Sequence, residues 1–173
     1  SVGEFHAINT SILSQIGKTI YSENFDLKNY KLEINKTIFQ ESLLEKYNNF
    51  EKKTFLDKSL ENFFNIEIIL HFFPNAKFIH SYRNFNDSVM GIYKTMLPEL
   101  SWCHTIKDII NYMSLYNKTI KYFKKKYPKK IIDVNLNQLT NNKKFEVKKI
   151  LNFCEIEFKD NYLDFDKNEK LFN

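Results

Sequence analysis

Arg83 is the only arginine among 173 residues, and it stands where the apolar run "AKFIHSY" breaks into the polar "RNFNDS". A cation at the carboxyl end of a strand, immediately before a helix, sits beside that helix's backbone N–H groups and the positive end of its dipole. Together these hold anions. The guanidinium adds a planar fork that grips two phosphate oxygens, a geometry lysine lacks. Ser88, in the first turn of the expected helix, has a hydroxyl to offer the same anion. A plainer alternative is a local salt bridge between Arg83 and Asp87, and spacing does not separate the two.

Lys58 occupies a comparable position at the end of the β-prone run "KKTFLDK". By itself "DKS" reads as a charged turn. On one sheet edge with Arg83, Lys58 becomes a second cation, able to hold the other end of a polyanion.

Hydrophobic periodicity supplies the elements that must position these residues. "FHAINTSILSQI" reads as a first helix with Phe5, Ile8, Ile12 and Ile16 on one face and Gly17 as its stop. "SENFDLKNYKLEIN" reads as an ordered loop and "TIFQESLLEKYNNF" as a second helix. Ser59 offers an N-cap for a helix over "LENFFNIEIILHFF", with Phe63, Phe64, Ile66, Ile69 and Leu70 buried and Pro74–Asn75 ending it. "AKFIHSY" is the next strand, and "NFNDS" caps a helix over "VMGIYKTML". A long helix over Ile106 to Tyr127 turns Ile106, Ile109, Ile110, Met113, Ile120 and Phe123 inward, and Pro128 ends it. "KIIDVN" is a third strand, followed by a helix over "KKFEVKKILNFC" with Phe145, Val147, Ile150, Leu151 and Cys154 inward. Strands alternating with helices call for an α/β fold, a parallel sheet flanked by helices. Ligands of such sheets sit at the carboxyl strand ends, which here hold Lys58, Arg83 and Asn135.

Length and an apolar content of 43% suit one domain with a real core. The formal net charge of +5 favours anionic partners without naming one. A single arginine, and no stripe of cations interleaved with aromatics, argue against nucleic acid. Cys103 and Cys154 lack the paired spacing of a zinc or redox motif and read as reduced thiols, which fits a cytoplasmic protein. No apolar run reaches membrane-spanning length, so no membrane partner is expected. His6, His71, His80 and His104 read as packing or surface residues and no metal is expected. The lysines at 124–126 complement the dipole of a helix end.

The run "FLDKSLENFFNIEIILHFFPNAKFIHSYRNFNDSVMGIY", then "KKIIDVNLNQL" and "VKKILNFCEI", resembles the sulfotransferases that use 3′-phosphoadenosine 5′-phosphosulfate (PAPS). The resemblance is greatest to the bacterial branch often fused to tetratricopeptide repeats and related to the tyrosylprotein sulfotransferases, and it covers most of residues 1–165. It implies a P-loop nucleoside-kinase-like fold in one sulfotransferase domain over residues 1–173. The family's Gly-rich phosphosulfate loop belongs upstream of Gly3, and a cofactor-closing segment belongs beyond the C-terminus, so the resemblance implies a fragment incomplete at both ends.

Its implications are residue-specific. Arg83, in "FPNAKFIHSYRN", matches the arginine that grips the cofactor's 3′-phosphate, and Ser88 stands where the family often carries Ser or Thr. Lys58, in "LDKSLENF", matches the lysine that steadies charge on the transferring sulfuryl group and leaving phosphate. "SVGEFHAI" resembles the segment carrying the acceptor's general base, with Glu4 the first candidate and His6 the second; a helix-start acid is the alternative role for Glu4. Three positions depart from the pattern: Gly91 replaces a serine eight residues after Arg83, Leu60 replaces a proline, and Leu136 replaces the adenine-contacting tyrosine. The implied reaction is metal-free, in-line sulfuryl transfer from PAPS to a hydroxyl or amine acceptor (protein, peptide, carbohydrate or small molecule), releasing adenosine 3′,5′-bisphosphate. The rivals are a non-catalytic binding or structural module and a nucleotide kinase-like enzyme; the second would need a "GxxxxGK" motif, which the sequence lacks.

Overall fold

A computed structural model of the chain describes residues 6–20, 35, 37, 41, 56–95 and 97–163. The chain groups into two compact units, Ser1–Ala76 and Lys77–Asn173. The loop expected over 22–35, apart from Asn35, and most of the helix expected over 37–50 lie outside the described residues.

In the first unit, α1 (Ala7–Ile20) buries Ala7, Ile8, Ser11 and Ile12 along one stripe. It runs through Gly17, which the sequence had marked as a stop. A glycine costs a helix interior about 1 kcal/mol against about 3 for proline, and no proline follows here to enforce an end. The single helix expected after Ser59 is two pieces, a 3₁₀ turn over Leu60–Phe63 and α2 (Ile66–Phe72). Ser59 makes no side-chain cap; its hydroxyl donates instead to Asp57 Oδ1 at 2.6 Å. The break falls at buried Asn65, whose carboxamide donates to the Glu61 carbonyl oxygen at 3.4 Å. One consequence is that Phe64 is exposed while Ile66, Ile69 and Phe72 are buried. α2 ends ahead of Pro74, as expected.

In the second unit, β1 (Phe78–Tyr82) leads into α3 (Phe85–Thr95), a 3₁₀ turn over Ser101–Cys103, and α4 (Ile106–Lys126). β2 (Ile131–Asn135) follows and pairs parallel with β1, in register from Phe78↔Ile131 to Tyr82↔Asn135. Parallel neighbours require a crossover, which α3 and α4 supply. Of the strand expected before Lys58, Leu56–Lys58 are described and Asp57 carries an isolated bridge. The described residues therefore form a mixed α/β structure with a two-stranded parallel sheet.

α4 is capped by Thr105, whose hydroxyl accepts from the Asp108 N–H at 3.1 Å and donates to Asp108 Oδ2 at 2.7 Å. Its buried face is Ile109, Ile120 and Phe123, with Met113 packed beside Val89, Cys103 and Ile109. Ile106 and Ile110, expected inward, are 42% and 41% exposed. Residues 109, 113, 116, 120 and 123 follow one stripe at 3.6 residues per turn, and 106 and 110 lie at its margin. After β2 comes a short helix the sequence did not announce, α5 (Leu136–Asn141), then α6 (Lys143–Phe153). Phe145, expected inward, is 68% exposed, and the buried residue is Glu146 at 4%, paired with Lys149 at 3.0 Å. The inward stripe runs through 146, 147, 150, 151 and 154, which leaves Phe145 about 100° round the helix from Glu146.

Candidate functional site

The carboxyl edge of the sheet in the second unit carries Arg83, Ser88 and the starts of two helices. Tyr82 and Asn135 are register partners, and each strand passes into a helix within three residues. Asn84 Oδ1 accepts the Asn86 N–H at 2.8 Å, capping α3. Asn135 Oδ1 accepts from the Asn137 and Gln138 N–H groups at 2.9 and 3.2 Å, capping α5. An asparagine here suits both the strand end and the cap, because its carboxamide folds back on the backbone two residues on.

Arg83 lies between Tyr82 and Asn84 beside the positive end of α3, and it is exposed. Among the described residues it makes no hydrogen bond and no ion pair, so the alternative pairing with Asp87 is not formed. Ser88 is one turn into α3, and its hydroxyl donates to the Asn84 carbonyl oxygen at 3.0 Å. A phosphate oxygen only accepts, so Ser88 reaches one after its hydroxyl rotates off that carbonyl. Farther along the same face, a Cβ added at Gly91 would meet nothing within 4 Å.

Deeper on the same two strands lies a polar cluster the sequence reading did not find. His80 Nδ1 lies 2.8 Å from Asp133 Oδ1, the two residues being register partners, and Lys124 Nζ donates to Asp133 Oδ2. From α6, Lys149 Nζ donates to the Asp133 carbonyl oxygen at 3.3 Å. Burial pushes the Asp133 carboxyl upward, but the hydrogen bonds and charges of Lys124 and His80 outweigh it and hold the group below its ordinary value. Tyr116 of α4 packs against the His80 ring, and its phenol is pushed up to about 12, first by burial, then by the charge on Asp133 and by Tyr112. The carboxylate accepts at Nδ1, which places the proton there. His80 Nε2 is buried and has no hydrogen-bond partner among the described residues. The available signal was one polar residue at the matching place in each apolar strand, "FIHSY" and "IIDVN".

In the first unit, Lys58 is exposed and its backbone is fixed by its neighbours. Asp57 Oδ1 accepts the Ser59 N–H at 2.8 Å, and Ser59 Oγ accepts the His6 N–H at 2.9 Å. The second candidate base is thus tied to the turn that carries Lys58. His6 has φ +50, a left-handed conformation uncommon outside glycine, and its ring Nδ1 lies 3.0 Å from Glu61 Oε2. Glu4, the first candidate, lies outside the described residues. Arg83 and Ser88 therefore belong to the second unit, and Lys58 and His6 to the first.

Among the described residues no three His, Cys, Asp or Glu side chains converge as a metal site, and no helix is long and apolar enough to cross a membrane. No solved structure matches the chain. An uncharacterized protein of Aquifex aeolicus (strain VF5) is 25% identical over 124 residues, which cover 69% of this chain and 16% of that protein. A model of the Sulfotransferase family matches residues 15–160, a span that includes both strands, Lys58, Arg83 and Ser88. With most of its length matched, the chain belongs to the Sulfotransferase family.

Proposed function

We propose that this chain forms the donor-binding part of an enzyme that transfers a sulfuryl group from PAPS to a hydroxyl or amine acceptor, within a P-loop nucleoside-kinase-like fold. The observation that carries the reading is Arg83: an exposed guanidinium without an ion-pair partner among the described residues, beside a capped helix N-terminus at the carboxyl edge of a parallel sheet. An arginine so placed fits a phosphate monoester, here the 3′-phosphate of the donor. Ser88 supplies a second contact after its hydroxyl turns outward.

In the transfer, the acceptor oxygen or nitrogen attacks sulfur in line as the bond from sulfur to the bridging phosphate oxygen breaks. Adenosine 3′,5′-bisphosphate leaves, and the acceptor's proton passes to a base, Glu4 in this reading with His6 as second candidate. Negative charge grows on the bridging oxygen, and the Lys58 ammonium, held on its Asp57–Ser59 turn, stabilises it there. No step needs a metal.

Calorimetric titration of the chain with adenosine 3′,5′-bisphosphate tests the reading. Arg83→Ala should weaken binding roughly 100-fold, the order expected for losing two charge-assisted hydrogen bonds. Equal affinity in both proteins would remove Arg83 from the donor site. Binding without sulfuryl transfer from PAPS to any acceptor would leave a non-catalytic binding module.

A further inference from the structure

We propose that the cavity between the Ser101–Cys103 turn and the first half of α4 binds a neutral sugar ring, and that this sugar presents the hydroxyl that accepts the sulfuryl group. The acceptor role rests on the function proposed above; the sugar site itself does not. The cavity is a shallow depression, largely open to solvent, of about 340 Å³ and is lined by Ser101, Trp102, Asp108, Asn111, Tyr112 and Leu115. That volume is at the lower end for small-molecule sites and suits one or two sugar rings.

Its chemistry selects the ligand. Trp102 and Tyr112 are stacked, with ring centroids 3.7 Å apart and planes 5° apart, and they form a rigid aromatic slab. Trp102 also packs on the core formed by Val89, Cys103 and Ile109, so the slab is anchored from below. Around it stand an amide, a hydroxyl and a carboxylate. Neither Ser101 nor Asn111 makes a side-chain hydrogen bond to another described residue. Asp108 Oδ2 is taken by the Thr105 hydroxyl at 2.7 Å, and its other carboxylate oxygen still has lone pairs to offer. A flat apolar face ringed by groups that pair with hydroxyls matches a pyranose, which has a C–H face and a rim of hydroxyls. No cation lines the cavity, which disfavours acidic sugars and acidic peptides. A phenol would stack on the slab but leave most of the polar rim unused.

The cavity is also at the correct end of the unit. α4 runs antiparallel to the strands: it ends at Lys126, shortly before β2 begins at Ile131, so its C-terminal end lies at the amino edge of the sheet, while Tyr116, farther back along the helix, packs on His80 in the middle of β1. Moving from Tyr116 back to Asp108 rises about 12 Å along the helix. Moving from His80 to Arg83 rises about 10 Å along the strand. Both climbs end at the carboxyl edge of the sheet, so the sugar cavity and the phosphate-gripping arginine share one level of the unit.

Trp102 is the sole tryptophan, so its fluorescence reports directly on the cavity. The chain is titrated with cellobiose, lactose and N-acetylglucosamine, with tyramine as the phenolic control and adenosine 3′,5′-bisphosphate followed separately by calorimetry. At least one sugar should give a saturable change in emission that is tenfold or more weaker in Asn111→Ala, an exposed position, with bisphosphate affinity unchanged by that substitution. Flat emission for every sugar up to ~50 mM, an undiminished response in Asn111→Ala, or a response to tyramine alone overturns the sugar site. If sugars bind and the bisphosphate does not, the cavity stands as a sugar site while its acceptor role and the sulfuryl-transfer reading fall. If the bisphosphate binds and no sugar does, the sugar proposal alone falls.

Discussion

Two places on the same pair of strands show opposite electrostatic arrangements. At His80 and Asp133 the carboxylate is met by an imidazole and an ammonium, and Tyr116 closes over the ring. Three residues on, just past the end of β1, Arg83 stands exposed beside a helix N-terminus with no ion-pair partner among the described residues. A met charge stiffens a fold, because its hydrogen bonds are made within the protein. An unmet one at a strand end keeps its interaction energy for a ligand. On the function proposed for Arg83, the contrast separates a structural site from a binding one more clearly than residue type does, since both places are built from polar and charged groups.

The contrast breaks if the two charges respond alike to removal. Arg83→Ala, expected to cost roughly 100-fold in bisphosphate affinity, should leave stability within about 0.5 kcal/mol, as for other surface positions without partners. Asp133→Ala should do the reverse, costing about 2 kcal/mol in urea unfolding because Lys124 and His80 lose their acceptor. The pH dependence sharpens the point. Asp133 is held below its ordinary value in the folded chain, so its contribution is complete at neutral pH. That contribution begins to fade as pH falls to about 3.9, the unfolded aspartate value. It is gone once pH passes below the folded value. Acid unfolding of Asp133→Asn should therefore be less steep than that of the parent, and superimposable curves would mean the cluster carries no linked proton.

Much of the edge was legible and much of the interior was not. Arg83, the helix after it, the long helix ending at Pro128 and the strand "IIDVN" follow from local signals: a lone cation after an apolar run, a periodic stripe, a proline. What escaped depends on partners remote in sequence or on competition between neighbours. Ser59 looked like a cap but its hydroxyl is claimed by Asp57, a choice periodicity cannot weigh. Hydrophobicity alone turns Phe145 inward, whereas the stripe's phase gives that direction to Glu146, made tolerable by Lys149. The His80–Asp133 pair joins residues 53 apart and exists only once the strands are in register. The family resemblance located Lys58, but the turn that holds it depends on His6, far away along the chain.

A smaller effect tests whether the helix end contributes to the edge. Asn84→Ala removes the acceptor for the Asn86 N–H and should cost about 1 kcal/mol of stability, the usual value of a lost N-cap. Asn135→Ala, which removes two cap hydrogen bonds from α5, serves as its control on the other strand. If the open edge acts as one unit, Asn84→Ala should also weaken bisphosphate binding severalfold, since the start of α3 is no longer fixed beside Arg83. Asn135→Ala should have the lesser effect on binding. Equal binding losses would place the ligand between the two caps and enlarge the site beyond Arg83.

The smallest effect concerns the position where the chain departs from the family pattern. Gly91 lies on the same face of α3 as Asn84 and Ser88, and a side chain built there meets open space. Serine gains up to about 0.5 kcal/mol over glycine in a helix interior, so Gly91→Ser should raise stability by a few tenths of a kcal/mol. Its hydroxyl faces the choice already made by Ser88 and Thr95, which donate to carbonyl oxygens four residues back. An anion on Arg83 offers a charged acceptor in place of a helix carbonyl that is already hydrogen-bonded, and charge-assisted bonds are about twice as strong. The new hydroxyl should therefore turn to the ligand and tighten adenosine 3′,5′-bisphosphate binding severalfold in the parent, and not at all in Arg83→Ala. A gain that survives the loss of Arg83 would mean that Gly91 faces a different part of the ligand. No gain in either background would mean that α3 contributes only its first turn to the phosphate.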